Sequence, residues 1–405
     1  MIVNFICMFK LFLSLNLFLL PSAHERPNIL FLLADDLGWN DVGFHGSSQI
    51  DSPFIDSLAN EGIILNNYYV MSLCTPSRAA LLTGRHPVTT GLQYRVIGPG
   101  QRSGIPLQFR LMPEYLNDLG YESHMVGKWH LGFFHRNYTP ALRGFKTFYG
   151  FYNGKNDYYV HRDHEQRNGV DWDGLDWRID DGVTDTILDS EYGQYSTRLM
   201  ADRSVGLIQD HNFEASPLFL YLALQATHVG NDDDPLQVPP ETEYEIKNVW
   251  DIKRRKYVGI VKEMDNAVEK VVNSLQAKGQ MDNTIIIFSS DNGGTPNGAG
   301  NNFPLRGAKG GNFEGGIRSP AFVYGKMFEK RAGEVSTELM HIADWLPTLY
   351  EAAGGDLRNM NIPESYSMLD LFTGGTRQLP DLKFWLISTP MTIQQESRWG
   401  GSSIS

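Results

Sequence analysis

The segment NILFLLADD, residues 28–36, is a short apolar run that stops at two adjacent aspartates, Asp35 and Asp36. Residues 29–34 are apolar without interruption, which is typical of a strand that is buried on both faces of a sheet. Two later runs are also apolar or β-branched, a third stretch is a plausible strand without being apolar throughout, and polar residues follow all three. They are residues 121–126, 218–224 and 284–289.

Helical patterns separate these runs. Helices are predicted over residues 53–60, 113–119, 196–209 and 253–277. Strands that alternate with helices favour an α/β fold with a largely parallel sheet. We expect the Asp- and Gly-rich stretch at 171–189 to be a solvated surface loop, because its aspartate spacing does not complete a helix–loop–helix calcium site.

The polar residues that follow the four runs predict a single crevice. A lone Asp or His in a loop is usually just solvated, but the carboxyl ends of parallel strands meet at one edge of a sheet. The side chains expected to meet there are Asp35, Asp36, Lys128, His130, His228, Asp291 and Asn292.

Composition excludes some classes of protein. The 405 residues are 41% hydrophobic and 20% charged, which indicates a globular chain able to bury a large core. The 47 acidic residues outnumber the 35 basic ones, giving a net charge of −12. A nucleic-acid-binding protein is therefore not expected, because the chain has no general basic field.

The first 23 residues are predicted to be a signal peptide. An apolar block at 11–20 follows Lys10 and precedes the small residues PSA. The alternative, a membrane anchor, requires a longer apolar run. Cleavage would remove Cys7 and leave Cys74 as a lone cysteine, which is either a buried core thiol or a residue with a special role.

Asp35, Asp36, Asp291 and Asn292 offer only oxygen ligands. Such ligands favour Ca²⁺, or less readily Mg²⁺, over Zn²⁺. The alternative is that these side chains are splayed apart in solvent.

Cys74 opens the segment CTPSRAALLTGR, residues 74–85, in which Pro76 suits the first turn of a helix. We therefore expect Cys74 at a helix N-terminus, where the helix dipole would activate a nucleophile. A soft sulfur is nevertheless a poor partner for a hard cation. Cys74 fits beside such a metal only if oxygen replaces its sulfur.

Several segments resemble the type I sulfatase family, above all CTPSR at 74–78 with LTGR at 82–85. Segments similar to arylsulfatases are GKWHLG at 127–132, DNGG at 291–294 and NFPLRG at 302–307. Segments similar to arylsulfatase B and its close relatives are QATH at 225–228, PLQVP at 235–239 and DWLPTL at 344–349. The resemblance covers about residues 26–372. It implies an alkaline-phosphatase-like sandwich with a central, mostly parallel sheet flanked by helices.

The resemblance also implies a mechanism. In that family a formylglycine-generating enzyme oxidises the cysteine to formylglycine, whose hydrate is both metal ligand and nucleophile. One hydrate oxygen attacks the sulfur atom of the substrate's sulfate group and forms a covalent sulfate ester. The second hydrate oxygen then loses its proton, which expels sulfate and restores the aldehyde. The residues that match the ligands of one Ca²⁺ are Asp35, Asp36, Asp291, Asn292 and modified Cys74.

Positive side chains and histidines match the other roles. Arg78 and Lys128 match the residues that hold the hydrate, and His130 matches the one that helps it lose a proton. His228 and Lys309 match the groups that bind the substrate sulfate. The positive charges of Arg78, Lys128 and Lys309 would offset the negative charges of the three aspartates. The alternative for any one of these three residues is an ordinary surface charge.

The chain departs from the family at three places. Residues 229–234, VGNDDD, form a longer and more acidic segment beside His228, and Lys309 is followed by two glycines. The small C-terminal sheet subdomain of the family is expected to be largely absent. The predicted organisation is a signal peptide at 1–23, a catalytic domain at 24–372 and a truncated or divergent tail at 373–405.

Three functions remain open from the sequence. The leading one is calcium-dependent hydrolysis of sulfate esters on a sulfated sugar or glycosaminoglycan of the N-acetylgalactosamine 4-sulfate type. The second is a phosphoesterase of the same superfamily, and the third is a non-catalytic sulfatase-like protein. We expect the secretory pathway, in the lysosome or outside the cell, with no membrane span after cleavage. Asn137 lies in the sequon NYT and could carry a glycan.

Overall fold

The computed structural model describes residues 26–376 except Asn168. The predicted signal peptide and most of the predicted tail, including its apolar run at 382–387, lie outside the described residues.

Fourteen strands lie within this part of the chain. They are β1 (Asn28–Ala34), β2 (Ile63–Leu65), β3 (Tyr68–Tyr69), β4 (Glu122–Lys128), β5 (Thr147–Phe151), β6 (Arg162–Arg167), β7 (Val170–Leu175), β8 (Arg178–Asp180), β9 (Asp185–Ile187), β10 (Leu218–Ala223), β11 (Thr284–Ser290), β12 (Ala321–Tyr324), β13 (Glu334–Ser336) and β14 (Met340–His341).

Ten of these strands form one sheet in the order β13-β2-β12-β11-β1-β10-β4-β5-β8-β9. The four strands predicted from the sequence, β1, β4, β10 and β11, are its central strands, and neighbours among them pair in parallel. The strands nearer both edges include antiparallel pairs. The prediction of an α/β fold with a mostly parallel central sheet is therefore confirmed.

Helices cover both faces of the sheet. In the described residues they are α1 (Pro53–Glu61), α2 (Cys74–Thr83), α3 (Pro87–Thr90), α4 (Met112–Asp118), α5 (Ser196–Asp210), α6 (Pro240–Glu245), α7 (Ile252–Ala277), α8 (Glu314–Ile317), α9 (Trp345–Ala352) and α10 (Leu369–Phe372). None of them is both long and apolar enough to cross a membrane.

Alternation along β1 builds two cores. Ile29, Phe31 and Leu33 face one core together with α2, α4 and α9. Leu30 and Leu32 face the other core together with α1, α5 and α7. Because successive side chains of a strand point to opposite faces, an uninterrupted apolar run is what a strand between two helical layers requires.

The stretch at 171–189 is not the surface loop that we expected. It contributes most of β7 and all of β8 and β9, and β8 and β9 extend the main sheet beyond β5. Two aspartates of the stretch are buried: Asp176 accepts the backbone N–H of Tyr152, and Asp180 pairs with Arg136. Polar composition misled the prediction because these carboxylates hold the sheet edge.

Candidate functional site

The four oxygen ligands predicted from the sequence lie together. Asp35 and Asp36 follow β1, and Asp291 and Asn292 follow β11, which is its parallel neighbour in register. All four are buried. The backbone of Asp36 adopts a left-handed conformation, with φ of 62°, and its N–H lies 3.3 Å from Oδ1 of Asp291.

Cys74 is the first residue of α2, as predicted, and its side chain is buried against Asp35. Its Sγ lies 3.5 Å from Oδ1 of Asp35. Ligand atoms of Asp35, Asp36, Cys74 and His228 all lie within 4.8 Å of one another.

Burial opposes the activation of the thiol that the helix N-terminus led us to expect. Burial, reinforced by the charges of Asp291 and Asp35, raises the pKa of Cys74 to about 12 and outweighs the opposing Lys128 and Lys309. The thiol is therefore protonated at neutral pH.

Each of the three predicted cations pairs with a carboxylate. Nζ of Lys128 donates to Oδ2 of Asp35 at 2.6 Å, and Nζ of Lys309 lies 2.6 Å from Oδ1 of Asp36. Nε and an Nη of Arg78 donate to Oδ2 of one further carboxylate, that of Asp291, at 3.0 and 2.8 Å. These are not ordinary surface charges, because the side chains of Arg78 and Lys128 are fully buried.

The cations stabilise the carboxylates unequally. Although burial acts to raise it, the charge of Lys309, followed by those of His228 and Lys128, holds the pKa of Asp36 well below its usual range. The pKa of Asp291 is raised by burial and by Asp35, against the effect of Arg78. The ionised form of Asp291 is thus less stabilised than that of Asp36.

His130 follows β4 and has an unpaired ring nitrogen. Its Nε2 lies 3.0 Å from the carbonyl oxygen of Ile97, which implies that Nε2 carries the hydrogen. Its Nδ1 is buried and has no hydrogen-bond partner in the described part of the chain. Gly154 makes room for the ring, because a Cβ there would lie 2.5 Å from it. Burial, followed by Lys128 and Arg78, lowers the pKa of His130 well below the ordinary value.

Backbone contacts fix this histidine beside Cys74. Oγ1 of Thr75 donates to the carbonyl oxygen of His130 at 3.0 Å. Gly127, the next-to-last residue of β4, pairs so closely with β10 that a Cβ would lie 1.9 Å from the carbonyl oxygen of Ala223. The glycine therefore allows β4 to lie close to β10, and the next residue, Lys128, reaches Asp35.

His228 and Lys309 form the side of the cluster that solvent can reach. Their side chains are 12% and 18% exposed, whereas those of Asp35, Arg78 and Lys128 are 0% exposed. Nε2 of His228 lies 3.7 Å from Oδ2 of Asp36. Burial and Lys309 lower the pKa of His228 to about 3. An incoming anion would meet these two side chains first.

The acidic segment at 229–234 is anchored beside His228. Oδ1 of Asn231 accepts the backbone N–H of His164, and Nδ2 of Asn231 donates to the carbonyl oxygen of Arg162. Both partners lie on β6, whose hairpin with β7 is separate from the main sheet. Asn231 thus ties this hairpin to the segment that follows His228.

The buried donors fit a hard divalent cation. Asp35, Asp36 and Asp291 supply carboxylate oxygens, and Asn292 supplies an amide oxygen. Oδ1 of Asn292 is buried and has no hydrogen-bond partner among the described residues, while Nδ2 of the same side chain donates to Asp36. A buried oxygen left unpaired beside carboxylates is what an ion-binding site would leave.

The sequence analysis did not identify a chain of hydrogen bonds that leads from Tyr257 to the backbone of Asp35. The hydroxyl of Tyr257 donates to Oδ2 of Asp41 at 2.8 Å and lies 2.9 Å from Oγ1 of Thr227. The backbone N–H of Thr227 donates to the carbonyl oxygen of Asp35 at 2.6 Å. No sequence signal marked Tyr257, which fits the apolar pattern of α7.

Comparison with known proteins identifies the family. The family model described as Sulfatase matches residues 27–355. Arylsulfatase J of Mus musculus is 40% identical over 361 residues, which cover 88% of this chain and 57% of that protein. N-acetylgalactosamine-6-sulfatase of Mus musculus is 34% identical over 356 residues, which cover 83% of this chain and 64% of that protein. The chain thus spans about three fifths of the length of these relatives.

A solved structure leads to the same family. The crystal structure of Ps i-CgsB in complex with k-i-k-neocarrahexaose has a TM-score of 0.75 and 32% sequence identity, and the match covers 86% of this chain and 76% of that one. The family model spans the sequence segments that build the buried cluster, from β1 to α9. On this evidence, the chain belongs to the sulfatase family.

Proposed function

We propose that this protein hydrolyses sulfate esters, with Cys74 converted to formylglycine and one Ca²⁺ held by the cluster. The observation that carries the proposal is the position of Cys74: its sulfur lies among hard oxygen donors, 3.5 Å from Oδ1 of Asp35. Sulfur is a poor ligand in such a set, whereas the hydroxyls of an aldehyde hydrate match it. The hydrate supplies a nucleophile that is regenerated without attack of water on a sulfate ester.

Asp35, Asp36, Asp291 and Asn292 would hold the metal ion, with the modified Cys74 completing the set. The ion, if Ca²⁺, supplies positive charge beside the nucleophile and the transferred sulfate group. Three carboxylates and the three cations Arg78, Lys128 and Lys309 balance in charge, so a divalent ion leaves the site positive and able to attract an anion.

Other residues of the chain would move protons and hold the substrate. Lys128 and Arg78, which pair with Asp35 and Asp291, would hold the hydrate. Nδ1 of His130 is the free acceptor for the proton that leaves when sulfate is expelled. His228 and Lys309, on the exposed side, would bind the sulfate oxygens, and one of them would protonate the departing alcohol.

Replacement of Cys74 by serine tests the mechanism. We expect Cys74→Ser to fold and to lose at least about a hundredfold in hydrolysis of 4-nitrophenyl sulfate, since the serine hydroxyl cannot form a hydrate. The matched control is the wild-type chain produced without the formylglycine-generating enzyme, whose Cys74 peptide is checked by mass spectrometry. Rates should follow the fraction of converted Cys74; equal rates for all three forms would refute the mechanism.

The same preparations decide between the alternative functions. A phosphoesterase would hydrolyse 4-nitrophenyl phosphate faster than the sulfate. A non-catalytic protein would hydrolyse neither ester even when Cys74 is fully converted. The substrate class is a sulfated sugar, and the N-acetylgalactosamine 4-sulfate type is our first candidate. A panel of chondroitin oligosaccharides sulfated at position 4 or position 6 tests that choice directly.

We also propose that the protein enters the secretory pathway, in which the formylglycine-generating enzyme can act on it. Its destination would be the lysosome or the outside of the cell. Asn137, the sequon residue, is exposed in a short turn between Arg136 and Tyr138, so a glycan there would not disturb the core. The N-terminal sequence of secreted material should begin near residue 24.

A further inference from the structure

A second group of metal-binding side chains lies at the opposite end of β4 from Lys128. Glu122 and His124 are on the first half of that strand, and His211 follows the last residue of α5. Nε2 of His124 lies 3.0 Å from Oε1 of Glu122, and Nδ1 of His211 lies 3.9 Å from the same oxygen. One ligand atom from each of the three residues lies within 4.8 Å of the other two.

This group is separate from the buried site described above, which we call the sulfatase cluster and which consists of Asp35, Asp36, Cys74, Arg78, Lys128, His130, His228, Asp291, Asn292 and Lys309. Glu122 and His124 are two residues apart, so both side chains point to the face of the sheet that α5 covers. His124 precedes Lys128 by four residues, which places the two groups about 13 Å apart along the strand. Nothing in the proposed reaction uses Glu122, His124 or His211.

We propose that Glu122, His124 and His211 bind a zinc ion. Two imidazole nitrogens and one carboxylate oxygen are donors that zinc prefers, in contrast to the oxygen-only set at the other end of the strand. Tetrahedral zinc with ligands at about 2 Å keeps its ligand atoms about 3.3 Å apart. Oε1 of Glu122 lies 3.0 and 3.9 Å from the two ring nitrogens, on either side of that value, and all three ligand atoms lie within 4.8 Å of one another.

Hydrogen bonds behind the ligands orient both histidines for this role. Nε2 of His211 lies 2.8 Å from the carbonyl oxygen of Ser216, an acceptor only, so Nε2 carries the hydrogen and the lone pair is on Nδ1. Nδ1 of His124 lies 2.7 Å from Oγ1 of Thr147, which can accept its hydrogen and leave the lone pair on Nε2. Partners of this kind are the usual support of metal-binding histidines.

The carboxylate contributes a single oxygen. Oε2 of Glu122 is 2.7 Å from Nζ of Lys146, which leaves Oε1 to face the two imidazoles. The side chain of Glu122 is 31% exposed, whereas those of His124 and His211 are 6% and 2% exposed. The remaining coordination position is thus on the solvent side and would hold water.

The ion would join the start of β4 to the end of α5. These two elements meet in the folded chain, and a ligand set completed only by folding binds the folded state alone. We therefore expect zinc to raise the thermal unfolding temperature without any role in sulfate ester hydrolysis.

The test is to titrate zinc into the intact protein saturated with Ca²⁺ and to measure binding by isothermal titration calorimetry. We expect one zinc ion per chain at this site, with binding weakened at least about a hundredfold in His211→Gln. Thr147→Val, which removes only a supporting hydroxyl, should weaken binding about 10- to 100-fold. The matched control is His164→Gln: Nε2 of His164 lies 2.8 Å from Asp171, but this pair belongs to no three-residue group in the described part of the chain.

Two further measurements keep the outcome clear. Co²⁺ bound to the wild-type chain should give the visible absorption of a tetrahedral site and be displaced by zinc, independently of how any variant folds. His228→Gln removes the histidine of the other cluster and should retain the zinc. Absence of zinc binding by the wild type, equal binding by His211→Gln, or loss of the ion in His228→Gln but not in His211→Gln would overturn the proposal.

Discussion

Arg78 is fully buried, and its guanidinium depends on Asp291 for its two shortest contacts with a carboxylate. A further carboxylate, that of Asp35, is 3.7 Å away, and the carbonyl oxygen of Lys128 accepts a third hydrogen bond. An arginine placed this deeply has no route to water if its partner is removed. The pair therefore concerns the stability of the protein as well as its chemistry.

We predict that Asp291→Ala lowers the free energy of unfolding by about 3 to 5 kcal/mol, because it leaves the charge of Arg78 buried and unpaired. Excess Ca²⁺ should then rescue activity only in the fraction of molecules that remains folded. Urea unfolding followed by circular dichroism measures the loss.

The double variant Asp291→Ala/Arg78→Met is the control for this prediction. It removes both charges, so it should recover part of the stability while remaining inactive. A single variant as stable as the wild type would show that Asp35 alone satisfies Arg78.

At the scale of elements, a side chain of α7 caps the N-terminus of α1. The backbone N–H groups of Phe54 and Ile55 donate to the carboxylate of Asp265, at 3.2 and 2.8 Å. Burial raises the pKa of Asp265 to about 6 in spite of these bonds, with Asp56 adding to the effect. Asp265 joins two helices on the same side of the sheet.

This raised pKa gives a pH dependence with a definite sign. Because the folded chain binds the proton of Asp265 more tightly than the unfolded chain, the contribution of this group to stability is greatest below about pH 4 and falls until about pH 6. Asp265→Asn should remove that part of the slope. Unfolding free energies of both forms at intervals from pH 4 to 7 test this, and parallel curves would contradict it.

The sequence predicted β1, β10 and β11 well because each is a run of apolar or β-branched residues, and it predicted α7 well because apolar residues recur there at helical spacing. β1 and β11 need no information beyond those runs, and the strand endings correctly brought Asp35 and Asp291 together. The edge strands β8 and β9 were missed because their polar side chains pair with partners far along the chain, as Asp180 does with Arg136. A composition pattern cannot identify such partners.

At the scale of the whole molecule, the sulfatase cluster closes only when distant segments meet. Its side chains come from α2, from β4 and the loop that follows it, and from the loops that follow β1, β10 and β11. A cation held there would bind the folded state alone and would stabilise it by about 2.7 kcal/mol at a concentration one hundred times its dissociation constant.

We therefore predict that chelation by EGTA lowers the thermal unfolding temperature and that Ca²⁺ restores it more effectively than Mg²⁺, which tolerates a crowded set of protein ligands less readily. Asn292→Ala should reduce the calcium-dependent shift while leaving the unfolding temperature in EGTA nearly unchanged. An unfolding temperature that is the same with and without Ca²⁺ would contradict the assignment of these oxygens to a metal ion.

The position of β1 in the sheet determines when, during synthesis of the chain, the centre of the sheet can form. β1 is made first, yet it lies between β10 and β11, so the centre of the sheet cannot close before residue 290 has been synthesised. At about 5 to 20 residues per second, roughly 10 to 40 s separate the appearance of Cys74 from that moment. In the finished molecule Cys74 is 1% exposed. Any enzyme that modifies this residue must therefore reach it on the growing or newly released chain, before the last central strand is inserted.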